Sequence, residues 1–379
     1  KLVAIISMVV GLLGIGYSFI ATPSTVEALG AHASHDPAHA EHVLHLLQNK
    51  PWAALYVAAL FFMLISLGVL AFYAINRAAQ AGWAPILFRV MEGITGYLPI
   101  GALIFFLLLV FSGLHFNHLF IWMDPAVVAH DKVIQGKTGY LNVPFFLVRA
   151  AVYMLGWIAY RQITRKLSKA QDQAHDNRPF VKAFKWSAGF LVFFLVSESM
   201  MSWDWVMSVD PHWFSTLFGW YVFGSLIASA IAAIILVTVT LKSQGYLEHV
   251  NDSHLHDLAK YLFGFSIFWT YLWFSQYLLY WYSNIPEEVT YFVTRLEHYE
   301  PIVLSMLAIN FLLPLLILVD SDIKRKPWVV GTMAVVILVG HYLDFFNMIM
   351  PATVGDQWCI GAGEIGSVLF FFGLFTFVT

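Results

Sequence analysis

Residues 214–241 read FSTLFGWYVFGSLIASAIAAIILVTVTL, a run without one charged side chain. A helix rises about 1.5 Å per residue and a bilayer's hydrocarbon core is about 30 Å thick, so about 20 apolar residues cross it. Working outward from this stretch, the same reading picks out ten segments: 2–20, 52–75, 94–114, 143–160, 184–203, 214–241, 259–283, 301–319, 328–350 and 360–379. Lipid offers no hydrogen bonds to open backbone, so each is expected as a helix. The alternation of a transmembrane barrel is missing. The sequence therefore predicts an all-α polytopic membrane protein with about ten transmembrane helices in a single integral membrane domain, 1–379.

Composition agrees. Of 379 residues, 60% are hydrophobic and 11% charged, against about a quarter charged in a soluble domain. Such a chain cannot cover a water-facing surface, which excludes a soluble enzyme, a disordered tail and a nucleic-acid-binding protein. The single cysteine, Cys359, excludes a disulfide scaffold, a Cys-ligated iron–sulfur cluster and a covalently attached c-type haem. The first apolar run is too long for a signal-peptide core, and Ala21-Thr22-Pro23 lacks a small-residue cleavage pattern, so it reads as a retained anchor. Walker motifs, phosphate loops and nucleophile elbows are missing.

Loop charge orients the bundle. Fourteen Lys/Arg fall in the loops after segments two, four, six and eight, counting Lys185 and Lys260 at the adjoining segment ends, and four in the loops of the other side. By the positive-inside rule the basic loops, including Arg161, Arg165, Lys166, Lys169 and Lys324-Arg325-Lys326, are cytoplasmic, and both termini with them. The opposite, periplasmic face then carries the acids Glu27, Asp36, Glu41, Asp124, Asp131, Asp204, Asp210, Glu287, Glu288, Glu297, Glu300 and Asp356, a surface suited to a basic partner protein. Segments three, five, seven and nine each end near a proline (Pro125, Pro211, Pro286, Pro351), a recurrence that suggests duplicated helix hairpins. The expected division is a first helix with a His-rich outer loop (1–51), a four-helix bundle (52–203), a second one (214–350) and a last helix (360–379).

Acids at membrane depth are costly, about 2.5–3.5 kcal/mol on insertion scales, and so are functional candidates. Glu198, Asp344 and Glu364 qualify, and His341 shares a helical face with Asp344 three residues on. Together they read as a proton pathway, against the plainer reading of a hydrogen-bonded network joining helices. Arg149, a few residues into segment four, is a candidate to pair with one of these acids or to hold a quinone carbonyl with its fork. Trp269, Trp273, Gln276 and Tyr280 form a stripe that would line a cavity for a quinone head group or serve as ordinary packing. Gly224, Ala228 and Ala232 report close helix packing. His115, His118 and His341 do not supply two facing imidazoles at one depth, as a b-type haem requires. His32, His35, His39, His42 and His45 recur at spacings of three and four, and are read as a solvated histidine-rich helix ahead of a zinc or copper site.

At the junction of segments five and six stands ESMMSWDWVMSVDPHWFSTLFGWY, Glu198–Tyr221. This stretch, the opening Gly14-Ile-Gly-Tyr-Ser-Phe19 and the ten-segment layout resemble the second NrfD-type (polysulfide-reductase-like) membrane subunit of bacterial alternative complex III, a quinol:cytochrome c oxidoreductase of the inner membrane. The resemblance implies two four-helix bundles with two peripheral helices. It also implies partners: a homologous NrfD-type membrane subunit, a periplasmic iron–sulfur subunit, c-type cytochrome subunits and a terminal oxidase. Haem c and iron–sulfur clusters would sit in those partners, and menaquinol would be the substrate of the complex, oxidised in the homologous subunit. This chain would bind no cofactor and would provide a proton pathway through Glu198, His341, Asp344 and Glu364. The alternatives are that it binds quinol itself or serves as a structural scaffold.

Overall fold

The architecture comes from a computed structural model that describes residues 1–26 and 37–379. Among the described residues there is no strand, and ten long helices carry the chain. They are α1 (Leu2–Ala21), α2 (Pro37–Ala78), α3 (Pro85–Gly113), α4 (Val143–Gln173), α5 (Arg178–Trp205), α6 (Phe218–Ser243), α7 (Asp252–Ser283), α8 (Glu300–Ile317), α9 (Pro327–Val354) and α10 (Ala362–Val378). Eight of them, α1–α6, α8 and α9, are long and apolar enough to cross a membrane. The other two depart from that standard for different reasons. α7 is rich in Trp and Tyr, whose polar tips lower its hydropathy, whereas α10 is apolar apart from Glu364 in its first turn and two hydroxyl residues, but has 17 residues.

Helix ends differ from the sequence reading in ways that have local causes. α2 begins at Pro37, so 37–51, the part of the His-rich connection read as a solvated helix, is continuous with the second apolar segment, and Pro51 lies inside the helix. Forty-two residues make a helix of about 63 Å, roughly twice the hydrocarbon thickness. The outer connection 115–142 contains two short helices, Pro125–His130 and Lys132–Lys137, capped by Asp124 and Asp131 through their carboxylates. Pro125 and Pro286 occupy the first position of new helices, where a missing N–H costs nothing. Pro351 lies inside α9 and does not end it. α5 and α7 end a few residues before Pro211 and Pro286, and of the two remaining prolines only Pro351 is overrun by its own helix, by three residues.

Packing places the long helices in two rings and a flanking pair. α2 packs on α3, α3 on α4, α4 on α5, and α5 back on α2; α6 packs on α7, α7 on α8, α8 on α9, and α9 back on α6. α2 also packs against α6 and α9, which makes it the common wall of both rings. Gly68 allows this: a Cβ there would stand 2.6 Å from the Leu226 carbonyl oxygen on α6. The small residues of α6 act as the sequence suggested, since a Cβ at Gly224 would already touch Trp269 Cα at 3.4 Å. α1 and α10 lie against each other, with α10 also on α2.

Candidate functional site

The second ring encloses a carboxylate. Asp344 on α9 is fully buried. Its Oδ1 accepts a hydrogen bond from the Tyr221 hydroxyl, and its Oδ2 accepts from Ser225 Oγ at 2.6 Å and Trp269 Nε1 at 2.8 Å. Tyr221 and Ser225 are one turn apart on α6, and Trp269 comes from α7, so three donors on two helices aim at one acid. An ionised carboxylate is acceptor-only and offers about four lone-pair sites, which this set suits.

His341, one turn before Asp344, is equally buried. Its Nδ1 stands 3.8 Å from Asp344 Oδ2, outside hydrogen-bonding distance, and its ring meets Trp269 edge-to-face at 5.6 Å. Neither ring nitrogen has a protein partner. The same holds for Ser266 Oγ and Gln276 Nε2 on α7, Thr238 Oγ1 on α6, Asn347 Oδ1 on α9 and both amide atoms of Asn310 on α8. Buried polar atoms are overwhelmingly hydrogen-bonded, to protein or to water. Along the helices these groups run from Gln276 and Asn347 near the outer ends, past Asp344 and His341, to Asn310 and Thr238 on the other side.

Local backbone prepares this arrangement. Residues Ala308–Leu312 of α8 form a π-helical turn, a widening found often at functional sites. It carries Asn310 against α9 at Gly340, where a Cβ would collide with the Asn310 amide oxygen. Glycine at 340 therefore admits the Asn310 amide against α9, one residue before His341.

The first ring holds a different device. Arg149 on α4 makes a two-pronged salt bridge to Asp204 on α5, Nε to Oδ2 at 2.8 Å and Nη2 to Oδ1 at 2.9 Å. Its Nη1 donates to the Tyr140 carbonyl at 3.0 Å, and the guanidinium lies over the Tyr140 and Phe145 rings. The fork is thus filled by Asp204 and pairs with none of Glu198, Asp344 or Glu364. Asp204 itself, expected among the solvated outer acids, is fully buried. It belongs to the end of α5, which the helix carries inside the fold.

The other expected residues are dispersed. Glu198 on α5 is buried with Oε1 lacking a partner and no hydrogen bond to the Asp344 cluster. Glu364 accepts the Gly361 N–H at 2.9 Å as the capping residue of α10, while its second oxygen has no partner. Trp273 is half-buried and stacks on Tyr277 at 5.6 Å, and Gln276 is buried. His32 and His35 lie outside the described residues. His39, His42 and His45 continue α2, with His45 edge-on to His118 at 5.7 Å. Burial, and then the neighbouring His45, hold the His118 imidazole below its ordinary range. Among the described residues no three His, Cys, Asp or Glu gather as a metal site.

Other buried charges went unseen in the sequence, Arg295 and Glu92 among them. Arg295, in the amphipathic helix Pro286–His298, donates to the Asn347 carbonyl at 3.0 Å and the Met348 carbonyl at 3.1 Å. Pro351 has no N–H to give Asn347, so the guanidinium takes the freed carbonyl. The signal was an interior proline paired with the only basic residue of its loop. Glu92, on the basic side, accepts from Arg89 at 3.0 Å, from Arg165 and from Tyr73 at 3.2 Å. Arg89-x-x-Glu92 was the visible trace of that cluster.

No protein-family model matches this chain, and no curated protein does so either.

Proposed function

We propose that this chain is a membrane-embedded subunit of a respiratory quinol:cytochrome c oxidoreductase of the alternative complex III type, whose second helix ring conducts protons. The observation that carries the reading is the buried Asp344–His341 pair, flanked along the membrane axis by polar groups without protein partners. Water bridging such groups gives a chain along which a proton hops, with the carboxyl and the imidazole as its titratable stations. Tyr221, Ser225 and Trp269 orient the carboxylate, and the π-helical turn brings Asn310 against α9 at Gly340, next in sequence to His341. Glu198 and Glu364 join such a route only through water.

In this reading all ten long helices cross a bacterial inner membrane, both termini lie on the basic, cytoplasmic side, and the acidic face meets the periplasm. Quinol is oxidised in a homologous NrfD-type neighbour, electrons leave through iron–sulfur and c-type cytochrome subunits, and this chain contributes no electron carrier. The saturated Arg149–Asp204 pair supports a structural role for the first ring.

The test is Asp344→Asn in the assembled complex, reconstituted in vesicles. Assembly is retained, because the amide keeps the shape, and protons released per electron fall. Unchanged stoichiometry removes Asp344 from the route and the proposal with it.

A further inference from the structure

Away from the acid cluster, an open-sided cavity of about 680 Å³ runs along α6 and α7. Phe223 of α6 and Gly264, Phe265 and Phe268 of α7 line it. Phe223 stands 6.4 Å from each of the other two rings. One end is closed by Trp83, from the α2–α3 connection, stacked on Tyr261 at 5.5 Å. Beside them Asp257 and Lys260, three residues apart on α7, form an ion pair of 2.9 Å in which the lysine is exposed and the aspartate half-buried. From Asp257 to Phe268 the helix rises about 16 Å. The charged end lies on the side of the basic loops, near Lys324 and Arg325.

The groove's chemistry changes along its length: aromatic and apolar at membrane depth, amphipathic rings next, then one cation and one anion at the rim. We propose that it binds a single phospholipid of the phosphatidylethanolamine class, with an acyl chain along Phe223, Phe265 and Phe268, its phosphate on Lys260 and its ammonium on Asp257. The rim pair complements a zwitterion charge for charge. An anionic glycerol head group would leave the Asp257 carboxylate facing a phosphate without a cation between them. Trp83 and Tyr261 hold the level at which their rings favour the head-group boundary. An ion pair at the surface is worth about 0–1 kcal/mol, and Lys260 is the exposed member of this one, so exchanging its partners for those of the head group costs little. The surrounding charge has a local sign: burial, then Lys260, Arg325 and Lys324, keep the His256 imidazole below its usual value.

The experiment uses the full chain in nanodiscs of equal phosphatidylethanolamine and phosphatidylglycerol, with retained lipid read by native mass spectrometry after transfer to detergent. One phosphatidylethanolamine per chain is expected to persist. A Cβ at Gly264 meets nothing within 4 Å, so Gly264→Leu fills the groove without touching the core. Retention should drop about tenfold, as for the loss of one good contact set, with an unchanged Tm in lipid-free detergent. Asp257→Asn should abolish the preference between the two lipids, whereas Lys260→Ala should weaken retention of both. Equal retention of both lipids by the unmodified chain, or retention indifferent to Gly264→Leu, overturns the proposal. So does density for a quinone or a neighbouring protein's helix in the groove of an assembled complex.

Discussion

Asp204 owes its place to Arg149, and each is tolerable in the interior only because the other is there. Removing one partner of a buried ion pair costs about 3–5 kcal/mol, while replacing both with apolar residues is often neutral. Arg149→Met alone should therefore lower thermal stability sharply, as should Asp204→Leu. The double variant should recover most of the loss, read as Tm in detergent; three equal losses would mean the pair is not the unit. At this scale, sequence reading found Asp344 and His341 because an acid in an apolar run is conspicuous. It missed the burial of Asp204 because that residue stands where an apolar segment gives way to a polar one, and hydropathy fixes such a boundary only to within a few residues. Asn310 was invisible for another reason: an amide in an apolar run carries no charge, and a π-helical turn leaves no mark on periodicity. Tyr221 stood in the sequence only as the end of the quoted Glu198–Tyr221 stretch, and nothing there pointed to Ser225 as its companion until α9 was set opposite them.

Among elements, α1 and α10 make the closest approach in the molecule. A Cβ at Gly366 would stand 2.9 Å from the Gly11 carbonyl oxygen, one at Gly14 2.8 Å from the Ala362 carbonyl oxygen, and Ser7 Oγ donates to the Leu369 carbonyl at 2.9 Å. Small residues make such contacts possible where lipid gives helices no hydrophobic reason to associate. Gly366→Leu should separate the pair, since overpacking of this kind costs about 1–3 kcal/mol. With cysteines at Ser7 and Leu369, and Cys359 replaced by serine, oxidation should cross-link the two helices in the glycine background and fail in the leucine variant. Persistent cross-linking would show that the glycines are not needed. The glycines of α1 were quoted in the sequence as part of a likeness, yet nothing in them named α10 as the partner. Helix existence is local and was legible, whereas helix neighbours are set by contacts far apart in the chain. The prolines teach the same lesson: Pro125 and Pro286 follow the usual rule for helix starts, but Pro351 stays inside α9 because Arg295 arrives from another helix.

For the whole molecule, the proposed direction in the membrane rests on the asymmetry of basic residues, which lives in loop counts and needs no structure. Cys359 is exposed at the end opposite the basic loops. A membrane-impermeant maleimide should label it from the periplasmic side of intact cells or right-side-out vesicles. A cysteine at the exposed position His175, in a Cys359→Ser background, should react only from the cytoplasmic side. Labelling of both from one side would reverse or break the orientation. Each ring of four is built from helices consecutive in the sequence, so each half can close soon after its last helix is made. The α1–α10 clasp is different. Ser7 and Leu369 are 362 positions apart, so during synthesis α1 sits in lipid with its glycine face uncovered until α10 emerges. The seam that fastens the outside of the protein is the last to be sewn, and a ribosome stalled just short of α10 would release a chain whose two rings are complete and whose first helix is still adrift.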